Sequence, residues 1–369
     1  MSDLGIGYVI KNRVAAREDL RTLCEQVAMA VRLSVAVGLA LGLLYAVAGS
    51  SLSVVRDFPV ESAVLYISAF LCLPAMIGVN ILQGLGQSTV SFQASMLQSL
   101  AWLALVTALG EGASLLSLAL GFALLWLLNG AYIFFRGYRA LGLAQVGFVS
   151  RLFGRQKLAQ ALPLLRIGGA FFLLQLTGLV LFNLGTYLAY TYFSAGAAAK
   201  YDILNKVFQI PMTLFNVVIA VAWSAITTLI SQKSVAKVYR LHSQLLAASL
   251  VGGALLLAVS MVVVPPFVRT YSHGQLTVGP AEVFWFAVQV TVQMVAYAGA
   301  VFMNAAERLR IQIGFAILST LSFLPLFFML RAQGLEIAAI PLATMLVVLP
   351  GALFFNHYAR RHIIGAIAT

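Results

Sequence analysis

The chain has 369 residues, 62% of them hydrophobic and only 9% charged, with a formal net charge of +12 and a mean hydropathy of +0.97. Soluble domains carry about 25% charged residues, so a water-borne globule is excluded. The cations sit in short loops between apolar runs, where topology rules put them, so a nucleic-acid partner is excluded as well.

Apolar runs of about 20 residues recur along the whole length, the length a membrane-crossing helix needs. Barrel strands would instead alternate in short segments. An all-α polytopic membrane protein is therefore expected. Its spans fall near 27–49, 60–84, 88–110, 113–135, 167–192, 201–230, 241–267, 281–303, 310–330 and 335–356. The longest connection, roughly 137–166, is basic and reads as a cytoplasmic linker. It separates an N-terminal bundle of four spans, 1–136, from a C-terminal bundle of six, 167–369.

Alternate loops hold most of the Lys and Arg residues, among them Lys11, Arg13, Arg136, Arg139, Arg155, Lys157, Lys233, Lys237, Arg308, Arg310, Arg360 and Arg361. That asymmetry predicts an inner, cytoplasmic membrane location with both termini in the cytoplasm. The first residues mix polar and charged types, so no signal peptide is expected. Cys24 and Cys72 have neither metal-ligand spacing nor a disulfide framework. His242 and His362 read as solvated loop residues. No catalytic motif appears, so neither an enzyme nor a cofactor is expected.

The two halves resemble each other weakly. DLGIGYVIKNRVAAREDLRTLCEQVAMAVRL ends a helix, crosses a short charged segment and starts a span; AWSAITTLISQKSVAKVYRLHSQLLAASL does the same. A six-plus-six repeat would then lack its first two helices.

One span is unusual. Projected as a helix, Asp202, Lys206, Gln209, Thr213, Asn216, Ser224, Thr227 and Ser231 form one row, with Asn205 beside it. Placing Lys at mid-membrane costs about 2.5–3.5 kcal/mol. Asp202, four residues earlier, offsets part of that through a same-face ion pair, and water in a cavity would offset more. Gln289 and Gln293 step by four on another span, and Asn183 lies on the span before Lys200. Such amides suit sugar hydroxyls, though they also join helix to helix. Arg32 and Arg166 lie near cytoplasmic span ends, as phosphate contacts at an inner mouth or as topology anchors.

Three stretches carry a family resemblance: DLGIGYVI at 3–10, VNILQGLGQSTVSFQASMLQSL at 79–100, and FFLLQLTGLVLFNLGTYLAYTYFSAGAAAKYDILNKVFQI at 171–210. Together they resemble the polysaccharide flippases of the multidrug/oligosaccharidyl-lipid/polysaccharide exporter superfamily, with the chain starting inside the family pattern. The resemblance implies two helical bundles around a central cavity and flipping of a lipid-linked oligosaccharide by alternating access. It implies a polyprenyl-pyrophosphate-linked glycan as substrate, with Lys206 as its cationic site; the polar residues read from the helix projections, Asp202, Asn205, Gln209, Asn216, Asn183, Gln289 and Gln293, are then the candidates for the cavity around it. Membrane lipids and glycan-assembly proteins are the other partners it implies. Many relatives have an acid where this chain has Gly185, so ion coupling through that acid does not carry over. The alternatives are a polymerase or ligase of glycan assembly, a small-molecule exporter of the same superfamily, and an inactive fragment.

Overall fold

The computed structural model describes residues 5–49, 53–110, 112–154 and 158–365. Asp3, Arg155 and Lys157 lie outside the described residues. The chain forms two compact units, Met1–Phe172 and Leu173–Thr369. Among the described residues there is no strand, and ten helical spans are long and apolar enough to cross a membrane. The chain is a multi-pass membrane protein.

Unit 1 begins with α1 (Ile6–Ala15) and α2 (Leu20–Ala48), followed by the short α3 (Ser53–Asp57). Next come α4 (Pro59–Gly84), α5 (Ser88–Leu109) and α6 (Leu115–Ala140). Asp19 starts α2 by accepting the N–H groups of Arg21 and Thr22 at 3.0 and 3.2 Å, as an N-cap should. Helix α4 packs on α1, α2, α5 and α6. Its closest approach is at Gly78, where an added Cβ would sit 2.6 Å from the Phe134 Cα. Small residues let membrane helices meet at backbone distance.

The predicted linker is largely structured. Past α6 come a 3₁₀ turn (Leu143–Val146) and α7 (Phe148–Phe153). Leu143 and Phe148 are buried in the same apolar cluster as Ile6, Ile10 and Val27. Arg32 on α2 fastens this segment. Its guanidinium donates to the carbonyls of Leu152, Arg151 and Gly154 at 2.6, 2.6 and 2.5 Å, the orphan acceptors at the end of α7. Arg151 in turn pairs with Glu25 at 2.5 Å.

Lys11 departs from the sequence expectation. It is no loop cation but a helical residue, 1% exposed, whose Nζ donates to Gln83 Oε1 at 3.0 Å. Burial pushes its pKa down to about 7, because an ammonium loses hydration there.

The fifth predicted span is two pieces, α8 (Leu158–Asn183) and α9 (Gly185–Tyr192), broken at Leu184. Unit 2 continues with α10 (Ala195–Ser231), α11 (Val235–Tyr271), α12 (Pro280–Ala305), α13 (Leu309–Ala332) and α14 (Ala339–Tyr358). A π-helical segment, Ala359–Ile364, follows. Helix α12 is the buried centre, packed on α10, α11, α13 and α14. At Gly299 an added Cβ would sit 2.7 Å from the Asn356 backbone nitrogen of α14.

The weak repeat has a geometric counterpart at its two charged junctions. Arg17 between α1 and α2, and Lys233 between α10 and α11, have φ of 58° and 54°. In each, the following N–H reaches back five residues: Glu18 to the Arg13 carbonyl at 3.3 Å, Ser234 to that of Leu229 at 3.0 Å. This is the Schellman ending, made twice without glycine.

Candidate functional site: the polar row of α10

Ser194 starts α10, its Oγ accepting the Ala197 N–H at 3.0 Å, so the helix opens at Ala195 rather than near 201. Asp202 and Lys206 are one turn apart and bonded: Nζ lies 2.6 Å from Oδ2, with the lysine side chain 75% exposed and the aspartate 37%. An acid four residues before a base is the favourable order on a helix. Asn205 and Gln209 flank the pair and are half-buried, while Thr213 and Asn216 are exposed.

The row does not keep one environment. Beyond Ala220 it turns inward at Ser224 and Thr227, which are buried, and is exposed again only at Ser231, the end of the helix. Their hydroxyls donate to the carbonyls of Ala220 and Trp223 at 3.3 and 3.1 Å, the local pattern that frees a hydroxyl from needing an outside partner. The continuous exposed polar stretch is therefore the Asp202–Lys206 turn and the two turns after it.

The other predicted residues divide. Asn183 is exposed at the end of α8. Gln289 and Gln293 are 8% and 4% exposed, because α12 is surrounded by its neighbours. The Gln293 amide donates to the Tyr297 hydroxyl at 3.4 Å. These two glutamines sit inside unit 2 rather than on its exposed surface with Lys206. Arg32 and Arg166 belong to unit 1; Arg32 is engaged by the end of α7, and Arg166 is exposed.

Gly185 has a packing cause. A Cβ there would overlap the Tyr201 hydroxyl and ring, and Tyr201 is buried in the unit's core. An acidic side chain at 185 has no room while Tyr201 keeps this position.

Two features escaped the sequence reading. Lys200 is held in an ion pair: its Nζ meets Glu282 Oε1 at 2.7 Å. The other oxygen of Glu282 accepts the Gly279 N–H at 2.8 Å. Proline at 280 with an acid two residues on is a helix-start signal from which the position of Glu282 could have been read, though not its partner. His242 is not a solvated loop residue but is completely buried on α11. Among the described residues, no group of three or more His, Cys, Asp or Glu side chains gathers as a metal site requires.

No family model and no curated protein matches the chain. Solved structures do. An outward-facing multidrug resistance MATE family transporter of the MOP superfamily is 15% identical, with a TM-score of 0.77 over 99% of this chain and 85% of that one. MATE in the bent conformation is 16% identical, with a TM-score of 0.80 over 100% of this chain and 84% of that one. A MOP superfamily transporter from Pyrococcus furiosus, described by the reverse polarity of its binding pocket, is 16% identical, with a TM-score of 0.79 over 100% and 85%. The chain has the fold of the MATE transporters.

Proposed function

We propose that the protein is a transporter that moves an amphiphilic small molecule across the membrane by alternating access. The observation that carries this reading is the Asp202–Lys206 pair. Two opposite charges stand exposed on a membrane-crossing helix, and charges on a span face water or a polar guest rather than acyl chains. The pair neutralises itself at rest. An anionic group on the solute competes with Asp202 for Lys206, and Asn205, Gln209 and Asn216 offer amides beside it. The likeness in fold to a multidrug transporter supports the small solute.

A second reading, flipping of a lipid-linked glycan, is favoured by the exposed amides Asn183 and Asn216 together with the Lys206 cation. A pyrophosphate would bind the ammonium and the sugars the amides. In both readings the loop cations support an inner-membrane orientation with cytoplasmic termini.

The test is transport by the purified chain in vesicles, using anionic and cationic amphiphilic dyes, beside a gene deletion scored for lipid-linked glycan on the inner leaflet. Lys206→Ala is expected to cut transport about tenfold or more, the scale of one hydrogen bond to a charged group, with protein level unchanged. Lys206→Arg keeps the charge and retains part of the activity. Wild-type transport by Lys206→Ala would sink the site. Glycan accumulation without dye movement would select the second reading.

A further inference from the structure

His242 is a fully buried polar residue on α11 with an unusual task. The Nε of Arg360, in the π-helical segment, lies 3.3 Å from His242 Nδ1. A guanidinium N–H can only donate, so Nδ1 is the acceptor and Nε2 carries the ring proton. Nε2 then donates to Asn356 Oδ1 at 3.1 Å. The Asn356 amide donates onward to the carbonyls of Val295 and Ala352, both at 2.8 Å. The Phe302 ring closes over the imidazole edge-on at 5.1 Å. Helices α11, α12, α14 and the π segment thus meet in one satisfied network whose outermost member is an exposed arginine.

Solvating an exposed arginine needs none of this. The network holds it in place: Nε is engaged by His242, and the plane lies over the Tyr239 ring at 5.7 Å. The terminal nitrogens of Arg360 make no other hydrogen bond to the described residues, so its two-pronged edge is left for a guest. Lys233, Lys237 and Arg240 lie at or near the start of α11, Arg308 and Arg310 at the α12–α13 turn, and Arg361 next in chain; all are exposed. Glu307 is the one acid in these three segments. π-Helical turns are rare and recur at functional sites.

We propose that this end of unit 2 binds the phosphate of an anionic phospholipid, with Arg360 as its preset clamp and His242 as the residue that positions the clamp. A guanidinium matches phosphate oxygens in two-pronged fashion. Arg360 stands two residues beyond α14, near the C-terminal end of the 26-residue span Ala339–Ile364; about 20 residues cross the hydrocarbon, so the end of this span reaches the headgroups. Exposed Tyr239 lies beside it, the kind of ring that settles at that level. The surrounding cations add a general attraction to an anionic leaflet, and Arg360 adds the fixed contact.

The experiment is native mass spectrometry of the full-length chain in detergent, titrated with phosphatidylglycerol or with phosphatidylcholine of the same acyl chains. Wild type is expected to retain phosphatidylglycerol preferentially, and R360Q about tenfold less, the size of one charge-assisted hydrogen bond. R361Q removes the same charge from the neighbouring, unpositioned arginine and is expected to bind as wild type does. Should R360Q fail to fold, Y239L reads the same weakening at about threefold, because it removes only the ring under the guanidinium. Equal weakening in R361Q and R360Q, or equal retention of the two lipids, overturns the proposal. Displacement of phosphatidylglycerol by millimolar inorganic phosphate also overturns it, and assigns the clamp to a soluble anion.

Discussion

Unit 1 and unit 2 repeat one packing pattern with different coverage. Helix α4 touches α1, α2, α5 and α6; α12 touches α10, α11, α13 and α14, in the same chain order. In each unit the central helix meets the last of these four neighbours at a glycine, Gly78 on α4 against α6 and Gly299 on α12 against α14. Yet 72% of the apolar stretch of α12 is buried against 28% for that of α4. Part of the difference follows from the first neighbour: α1 has 10 residues and α10 has 37. The packing pattern follows small residues and turns, whereas burial follows the length of the helices laid over them.

The comparison is broken most directly at its shared glycines. Gly78→Val and Gly299→Val each push a branched side chain into a neighbouring backbone, which cannot swing aside. Each is expected to cost about 3 kcal/mol, the upper part of the overpacking range, read as reduced thermal stability in detergent. If one of them melts like wild type, the two crossings are not equivalent.

A smaller effect belongs to unit 2 alone. Gly185→Ala is expected to cost about 2 kcal/mol by crowding Tyr201. Combined with Tyr201→Leu, the penalty should be less than the sum of the single variants, as for residues in contact. Strict additivity would dissociate Gly185 from Tyr201.

A further effect is confined to unit 1 and to pH. Lys11 titrates at about 7 in the fold and near 10.4 when unfolded. The folded state therefore favours the neutral amine, which still donates to Gln83. Stability contributed by this group is complete above the unfolded value, declines as pH falls between the two, and levels off below about 7. Lys11→Met is expected to flatten that slope in thermal melts taken across the window; an unchanged slope would remove Lys11 as its source.

The ten spans were legible because an apolar run of membrane length has few other uses. The break at Leu184 was not, since Asn183, Leu184 and Gly185 sit inside a mostly apolar stretch of membrane length and only Tyr201, brought in from the next helix, explains the glycine. The Asp202–Lys206 pair was readable from a spacing of four. The partners of Lys200, Lys11 and His242 lie 82, 72 and 114 residues away in Glu282, Gln83 and Asn356. A local reading of charge assigned Lys11 and His242 to loops because nothing near them in sequence announces a buried acceptor. The row on α10 was correctly a row, but the inward turn of Ser224 and Thr227 depends on the helices packed there.

The turns carry a practical opening. Arg17, Lys233, His273 and Glu307 hold φ between 51° and 58°, where a side chain costs roughly 1–2 kcal/mol that glycine avoids. Exchanging each for glycine gives back somewhat less than this, because the unfolded chain also gains freedom. Four such exchanges, all at helix ends and outside the polar row, offer a route to a hardier preparation for crystallisation or cryo-microscopy.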